Sequence, residues 1–349
     1  MFLPYSVINP LTLIEVERRL PRAGEVLVAE GEMVESFQLV AKTTEQPQFG
    51  IVNIARELHL SPQKVKSALK VKVGAQVSAG TILATRGMLG GRVSRAPFDG
   101  TITGYGHGRL LLEAPLVEVQ LNALLPGRVV RIWAEKGVTV QTYGAFVQGV
   151  WGNNKEGYGV LQLAVRAPHQ PLRARRLDAS MQGAIIVGGT GLDAAVLAQA
   201  ADMQVGGLIV GGVSAELLPE LAAVDFPILI TEGIGEIPLS AAAFTLLRDL
   251  AGREAVLSAR LGTHWKTERP YVAVPMPAES ARGVDSAAPL AIGSQVRALR
   301  APLQGKTGVI SELPLDKMEL ETGARLAGAY VDFDGEVDFV PFSNLERIL

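Results

Sequence analysis

The sequence predicts an α+β multidomain chain: a β-rich N-terminal region, a central three-layer α/β domain on a parallel sheet, and a β-rich C-terminal unit. Three observations carry this. Between 22 and 120, short apolar runs alternate with glycine turns at regular spacing, as in small all-β units. Between 180 and 260, continuous apolar runs end in glycine and alternate with helix-period segments, as in sheets buried on both faces. From Gly293 onward the strand period returns. At 349 residues the chain has room for two or three domains.

The N-terminal region contains an internal repeat. Gly31, Val34, Leu39, Val40 and Ala41 recur as Gly74, Val77, Ile82, Leu83 and Ala84, each pair 43 residues apart. A fainter third copy has Gly137, Val140 and Phe146. Each copy reads as strand, glycine turn, strand, because glycine permits the positive φ of a tight turn. Between the first two copies, 54–60 has helical spacing. Ser61-Pro62 then supplies an N-cap and a first-turn proline for a second helix over 63–69. The pair reads either as a helix-turn-helix, with Lys64 and Lys66 reaching phosphate, or as a two-helix insertion packed on the β unit.

Val73-Gly74-Ala75-Gln76-Val77-Ser78-Ala79-Gly80, followed by Ala96-Pro97-Phe98-Asp99-Gly100-Thr101-Ile102, resembles the biotinyl/lipoyl-type barrel-sandwich hybrid. In carrier members a lysine sits on a hairpin a few residues before the second motif. Here the matching position is Leu89, and no lysine occurs between Lys72 and Lys136. The resemblance therefore implies the fold without biotin or lipoate, and no cofactor is expected.

Residues 124–166 read as a second β unit, followed by the basic run Arg173, Arg175 and Arg176. That run is either a nucleic-acid patch or an ion-paired linker. Strands are expected at 184–187, 207–210 and 227–230, with helices at 192–203, 215–223 and 240–250. The right-handed crossover rule places the three strand ends on one edge. That edge carries Gly188, Gly189, Thr190, Gly191, Gly211, Gly212, Ser214, Thr231 and Glu232, with Asp193 beside it. Ligands of open parallel sheets bind beyond the strand ends, and glycine-turn amides favour anions. The layout is similar to regulatory α/β modules of the DRTGG type, which implies a sensor. Tight turns also need glycine for packing alone, and Asp193 is equally placed to cap its helix.

From Val296 through Gly305-Lys306-Thr307-Gly308-Val309-Ile310 to Val340-Pro341-Phe342, the sequence resembles a KOW motif in an SH3-like barrel. KOW domains occur in transcription elongation factors and some ribosomal proteins. The expected divisions are 1–120, a barrel-sandwich hybrid-like domain with a helical insertion at 51–69; 121–179, a β unit and basic linker; 180–277, the α/β domain; 278–292, a linker; and 293–349, the SH3-like barrel.

The chain has no cysteine, which excludes thiol catalysis and cysteine-ligated metals. Its four histidines, His59, His107, His169 and His264, show no metal-ligand spacing, and no catalytic motif accompanies them. A non-enzymatic protein is expected, with no catalytic residue and no metal. The first five residues lack the basic region of a secretory signal, and no apolar run approaches a membrane span. A cytoplasmic location without membrane contact is expected.

The net charge of −2 conceals an uneven distribution: residues 1–180 carry +7 and residues 181–349 carry −9. Such polarity suits contact between copies of one chain. Three functions are therefore weighed. The first is a scaffold or adaptor that self-associates through oppositely charged ends. The second is a ligand-sensing regulator using the glycine edge. The third is a nucleic-acid or transcription-machinery adaptor using Lys64, Lys66 and Arg173–Arg176.

Overall fold

Two twelve-residue strands, Ile8–Arg19 and Gly137–Gln148, run antiparallel and form the longest ladder among the described residues. Alternation along the first buries Thr12, Ile14 and Arg18 and turns Glu15 and Glu17 outward, as a half-covered strand requires. The computed structural model describes residues 4–87, 91–262, 269–277 and 289–349. Leu89, His264 and the 278–288 part of the expected linker lie outside the described residues. The chain is β-rich and built from several sheets. Among the described residues, no helix is long and apolar enough to cross a membrane.

Ile185–Val187, Gly207–Val213 and Ile228–Ile234 pair in parallel, as the continuous apolar runs predict. Alternate residues face opposite sides. Ile185, Val187, Ile209 and Leu229 pack towards helix Ala241–Asp249. Ile186, Leu208, Val210 and Ile228 pack towards helices Ala194–Asp202 and Leu218–Ala223. The sheet does not stop at the expected 179/180 division. Glu156–Leu163 joins it in parallel through Leu161 and Ile185, and continues antiparallel to Glu254–Ser258 and Tyr271–Pro275. The expected helix 215–223 begins as a 3-10 turn, Ala215–Leu217, because Pro219 sits in its second half.

The repeat is real, and it is nested. Strands Met33–Val34 and Leu39–Thr44 correspond to Gln76–Val77 and Ile82–Arg86 at the offset of 43. The Gly31 and Gly74 turns both have positive φ, 87° and 92°. Each amide donates to a returning strand, Gly31 to Val129 O and Gly74 to Ile102 O, both at 2.7 Å. Returning strands Gly127–Trp133 and Gly100–Gly106 share even their irregularity, a register shift after Val129 and after Ile102. The hairpins match in the same way: Leu39 pairs Asn122 as Ile82 pairs Arg95, and each ladder then skips one residue.

The second copy lies inside the first. Residues 49–113 have their own core, including Ile54, Leu58, Val65, Leu83, Ile102 and Leu110. They leave the host after Thr44 and re-enter at Glu118, which pair with each other. The insertion is thus a whole β unit, larger than the expected 51–69. Of its two helices, Ile54–Glu57 is shorter than expected, Pro62–Ala68 has the expected length one residue earlier, and both pack into that core. The third copy is no separate hairpin: Gly137 opens the long strand that closes the host unit.

The C-terminal residues form an antiparallel sheet from Gln295–Ala298, Thr307–Glu312, Gly328–Phe333, Glu336–Pro341 and Leu345–Ile348. Tyr5–Ser6 adds to it in parallel beside Leu345–Ile348. The first described residues therefore belong with the last strand, although the expected divisions grouped them with 1–120.

Candidate functional site

The glycine edge is occupied by the chain itself. Gly188 N donates to Ile209 O at 2.8 Å, Thr190 N to Gln170 O at 3.1 Å, Gly211 N to Gly189 O at 2.8 Å, and Gly212 N to Thr190 O at 3.0 Å. Those four amides are therefore engaged and do not form an anion cradle. A Cβ on Gly189 would overlap Gln170 O; one on Gly211 would overlap Ile237 O and Leu239 N; one on Gly212 would overlap Gly235 O. Segments 168–172 and 235–239 thus lie directly on this edge, and glycine is needed for their approach.

The other residues expected there also have partners. Asp193 caps helix Ala194–Asp202, accepting from Val196 N at 3.0 Å. Its second oxygen pairs with Arg173 Nη1 at 3.1 Å, in an exposed ion pair. Two residues expected at separate sites, one for a ligand and one for nucleic acid, thus hold each other. Ser214 occupies the cap position of its 3-10 turn without a side-chain cap bond. Thr231 is buried and its hydroxyl donates to Val210 O at 3.3 Å.

Glu232 belongs to a buried ionic cluster. Its Oε1 accepts from Ser240 N at 3.0 Å, and its Oε2 pairs with Arg297 Nη1. Arg297 is 2% exposed and faces Glu346, its direct cross-strand partner, which it contacts through Nε at 3.1 Å and through Nη2. It also donates to Thr231 O at 3.3 Å and to Ser6 Oγ at 3.1 Å. Ser6 in turn donates to Glu346 Oε1 at 2.7 Å, and Arg269 Nη2 reaches that oxygen at 2.9 Å. Two guanidiniums and two carboxylates thus join four stretches of chain: 5–6, 231–232, 269 and the C-terminal sheet. Ser6, Arg269, Arg297 and Glu346 were not expected at a site. Their sequence signal is faint: a charge inside an apolar strand, in Val296-Arg297-Ala298 and in Leu345-Glu346-Arg347.

Burial raises the Glu346 carboxyl, but Arg297, Ser6 and Arg269 together outweigh it and hold the group below its ordinary value of 4.5. A depressed carboxylate contributes stability above its unfolded pKa and loses it as pH falls through the folded one. The stability of the joint is therefore expected to decline from about pH 4.5 downward. Urea unfolding midpoints measured from pH 7 to pH 3 check this, and a Glu346→Gln variant should show a shallower acid limb. Equal slopes would remove Glu346 from the account.

The five basic residues expected at nucleic acid do not converge in one unit. Lys64 and Lys66 are exposed on helix Pro62–Ala68 of the inserted unit. Arg175 and Arg176 are exposed on the 3-10 turn Ala174–Arg176, beside helix Ala194–Asp202.

A cleft of about 830 Å³ has Met33, Tyr143, Tyr158 and Met276 among its walls. Burial and the neighbouring Glu254 carboxylate push the Tyr158 hydroxyl up to about 12, so it is a donor at neutral pH. Among the described residues, no three His, Asp or Glu side chains gather where they could hold a metal ion. No protein-family model matches the chain, and no curated protein matches it.

Proposed function

We propose that the chain is a non-enzymatic cytoplasmic adaptor or scaffold that self-associates through oppositely charged surfaces. On this reading its parts are two nested barrel-sandwich hybrid units of biotinyl/lipoyl type without an attachment lysine, a three-layer α/β domain, and an SH3-like KOW barrel. The single observation that carries it is the location of the charge. The inserted unit, 49–113, holds nine Lys and Arg against three Asp and Glu. It has its own core, and no hydrogen bond or ion pair described for it leaves the unit. It is therefore presented to a partner, while residues 293–349 carry six Lys and Arg against nine Asp and Glu. Opposite fields on one molecule attract copies of it, and salt screens the attraction within about 8–10 Å.

Light scattering after size exclusion tests this. Mass is expected to rise with concentration at about 50 mM salt and to fall towards the monomer near 1 M, where screening is strongest. A strict monomer at every concentration and low salt would sink the proposal. A nucleic-acid partner is the second reading, supported by the exposed Lys64 and Lys66 on the basic unit. It predicts oligonucleotide binding with a steep salt dependence.

A further inference from the structure

The nested copies differ at one place that their common register makes comparable. In the host, Ile8–Arg19 pairs with the closing strand so that Glu15 faces Gln141 and Glu17 faces Thr139. In the insert, Phe49–Val52 takes the same place, with Phe49 opposite Glu113 and Ile51 opposite Leu111. The outward positions Glu15 and Glu17 of the host thus become Phe49 and Ile51, which are 57% and 67% exposed. Among the described residues, Phe49–Val52 pairs only with Arg109–Glu113, so its other edge is open. Proteins ordinarily blunt such edges with charge, as the host does; an open apolar edge is a template for another strand.

The molecule has a second open edge of opposite character. Glu336–Pro341 ends the C-terminal sheet and, among the described residues, pairs only with Gly328–Phe333. It carries exposed Glu336 and Asp338 on one face and, on the other, Val337, 54% exposed, and half-buried Phe339. Asp334 is exposed in its hairpin turn. An acidic edge with an apolar stripe complements a basic unit whose edge has an apolar stripe.

We propose that the free edge of Phe49–Val52 takes the free edge of Glu336–Pro341 from a second copy of this chain, so that one sheet continues into the next. The inference rests on the self-association proposed above and names its contact. Each copy presents one edge of each kind, so the contact is head-to-tail and repeats as a ring or an open line.

Two variants at exposed positions test it. Ile51→Asp sets acid against the acidic edge, and Val337→Lys sets base against the basic unit. Each leaves the other edge intact, and circular dichroism checks that each folds. Each variant alone is expected to associate at least ten times more weakly than the parent. Mixed in equal amounts, they should regain association, because the intact edges still match and the acid placed at 51 meets the base placed at 337. If either variant associates like the parent, or the mixture stays monomeric, this contact is wrong while self-association stands. A parent that is monomeric throughout removes both. A monomeric parent that retards an oligonucleotide, and loses this in Lys64→Glu, assigns the basic surface to phosphate and overturns the strand pairing.

Discussion

Replacing Arg297 by methionine is expected to destabilise the chain by about 3–5 kcal/mol, the usual result of stranding buried partners of a removed charge. Methionine keeps an unbranched apolar stem that ends level with the arginine Nε, so the change removes the guanidinium and little else. What it removes is the donor set for Glu232 Oε2, both carboxylate contacts of Glu346 Oε2, and bonds to Thr231 O and Ser6 Oγ. Glu232 and Glu346 would then be two carboxylates with side chains only 1% and 2% exposed, facing one another without their shared cation. Urea unfolding followed by tryptophan fluorescence measures the loss. Adding Glu232→Gln and Glu346→Gln to Arg297→Met should recover part of it, since neutral amides have no charge to desolvate. A loss below about 1 kcal/mol for Arg297→Met would show that the cluster is not buried as described.

Gly212→Ala is the second large effect, expected to destabilise by about 1–3 kcal/mol through overpacking. The added Cβ overlaps Gly235 O and stands 3.0 Å from Gly233 O and from Ile237 N. These are backbone atoms, which cannot swing aside as a side-chain end would. Segment 235–239 must move, and with it Ile237, whose Cγ2 stands against the C-terminal unit at Gly305. Gly106→Ala is the control: no atom lies within 4 Å of the added carbon, and stability should stay within about 0.5 kcal/mol. Thermal denaturation of both variants decides between a packed edge and an open one. If Gly212→Ala is as stable as the parent, the glycine edge is accessible and the ligand-sensing reading regains its footing.

The legibility of this fold differed from element to element, for physical reasons. The parallel strands were plain because burial on both faces leaves continuous apolar runs such as Ile185-Ile186-Val187. The repeat was plain because Gly31 and Gly74 both sit in positive-φ turns that side chains resist. Nesting was not, because the pairing of Thr44 with Glu118 spans residues that carry no mark of their distant partners. Ile8–Arg19 alternates, but Glu15, Glu17, Arg18 and Arg19 mask its strand period with charge, and Arg18 is buried on Glu156 at 2.6 Å. The candidate site was legible only as an address. Thr231 and Glu232 were expected just beyond a strand and lie within Ile228–Ile234; Arg297 contacts both, and Glu346, Ser6 and Arg269 join the cluster around it. Sequence position brings none of those together; only the fold does.

The point at which the host unit is interrupted has a topological consequence. In the insert, the matching hairpin closes locally, Arg86 pairing with Arg92. In the host, the same two strands are separated by everything from 45 to 117. Closing an unstructured loop of that length carries more entropy than closing a tight turn, though the penalty grows only logarithmically. Once folded, the insert presents its two ends side by side, with Glu45 N donating to Val117 O and Ala114 N to Gln48 O at 2.8 Å. It then acts on the host as a short turn would. The inserted unit is thus a cassette: it can be gained, lost or exchanged as one piece while the host ladder keeps its register.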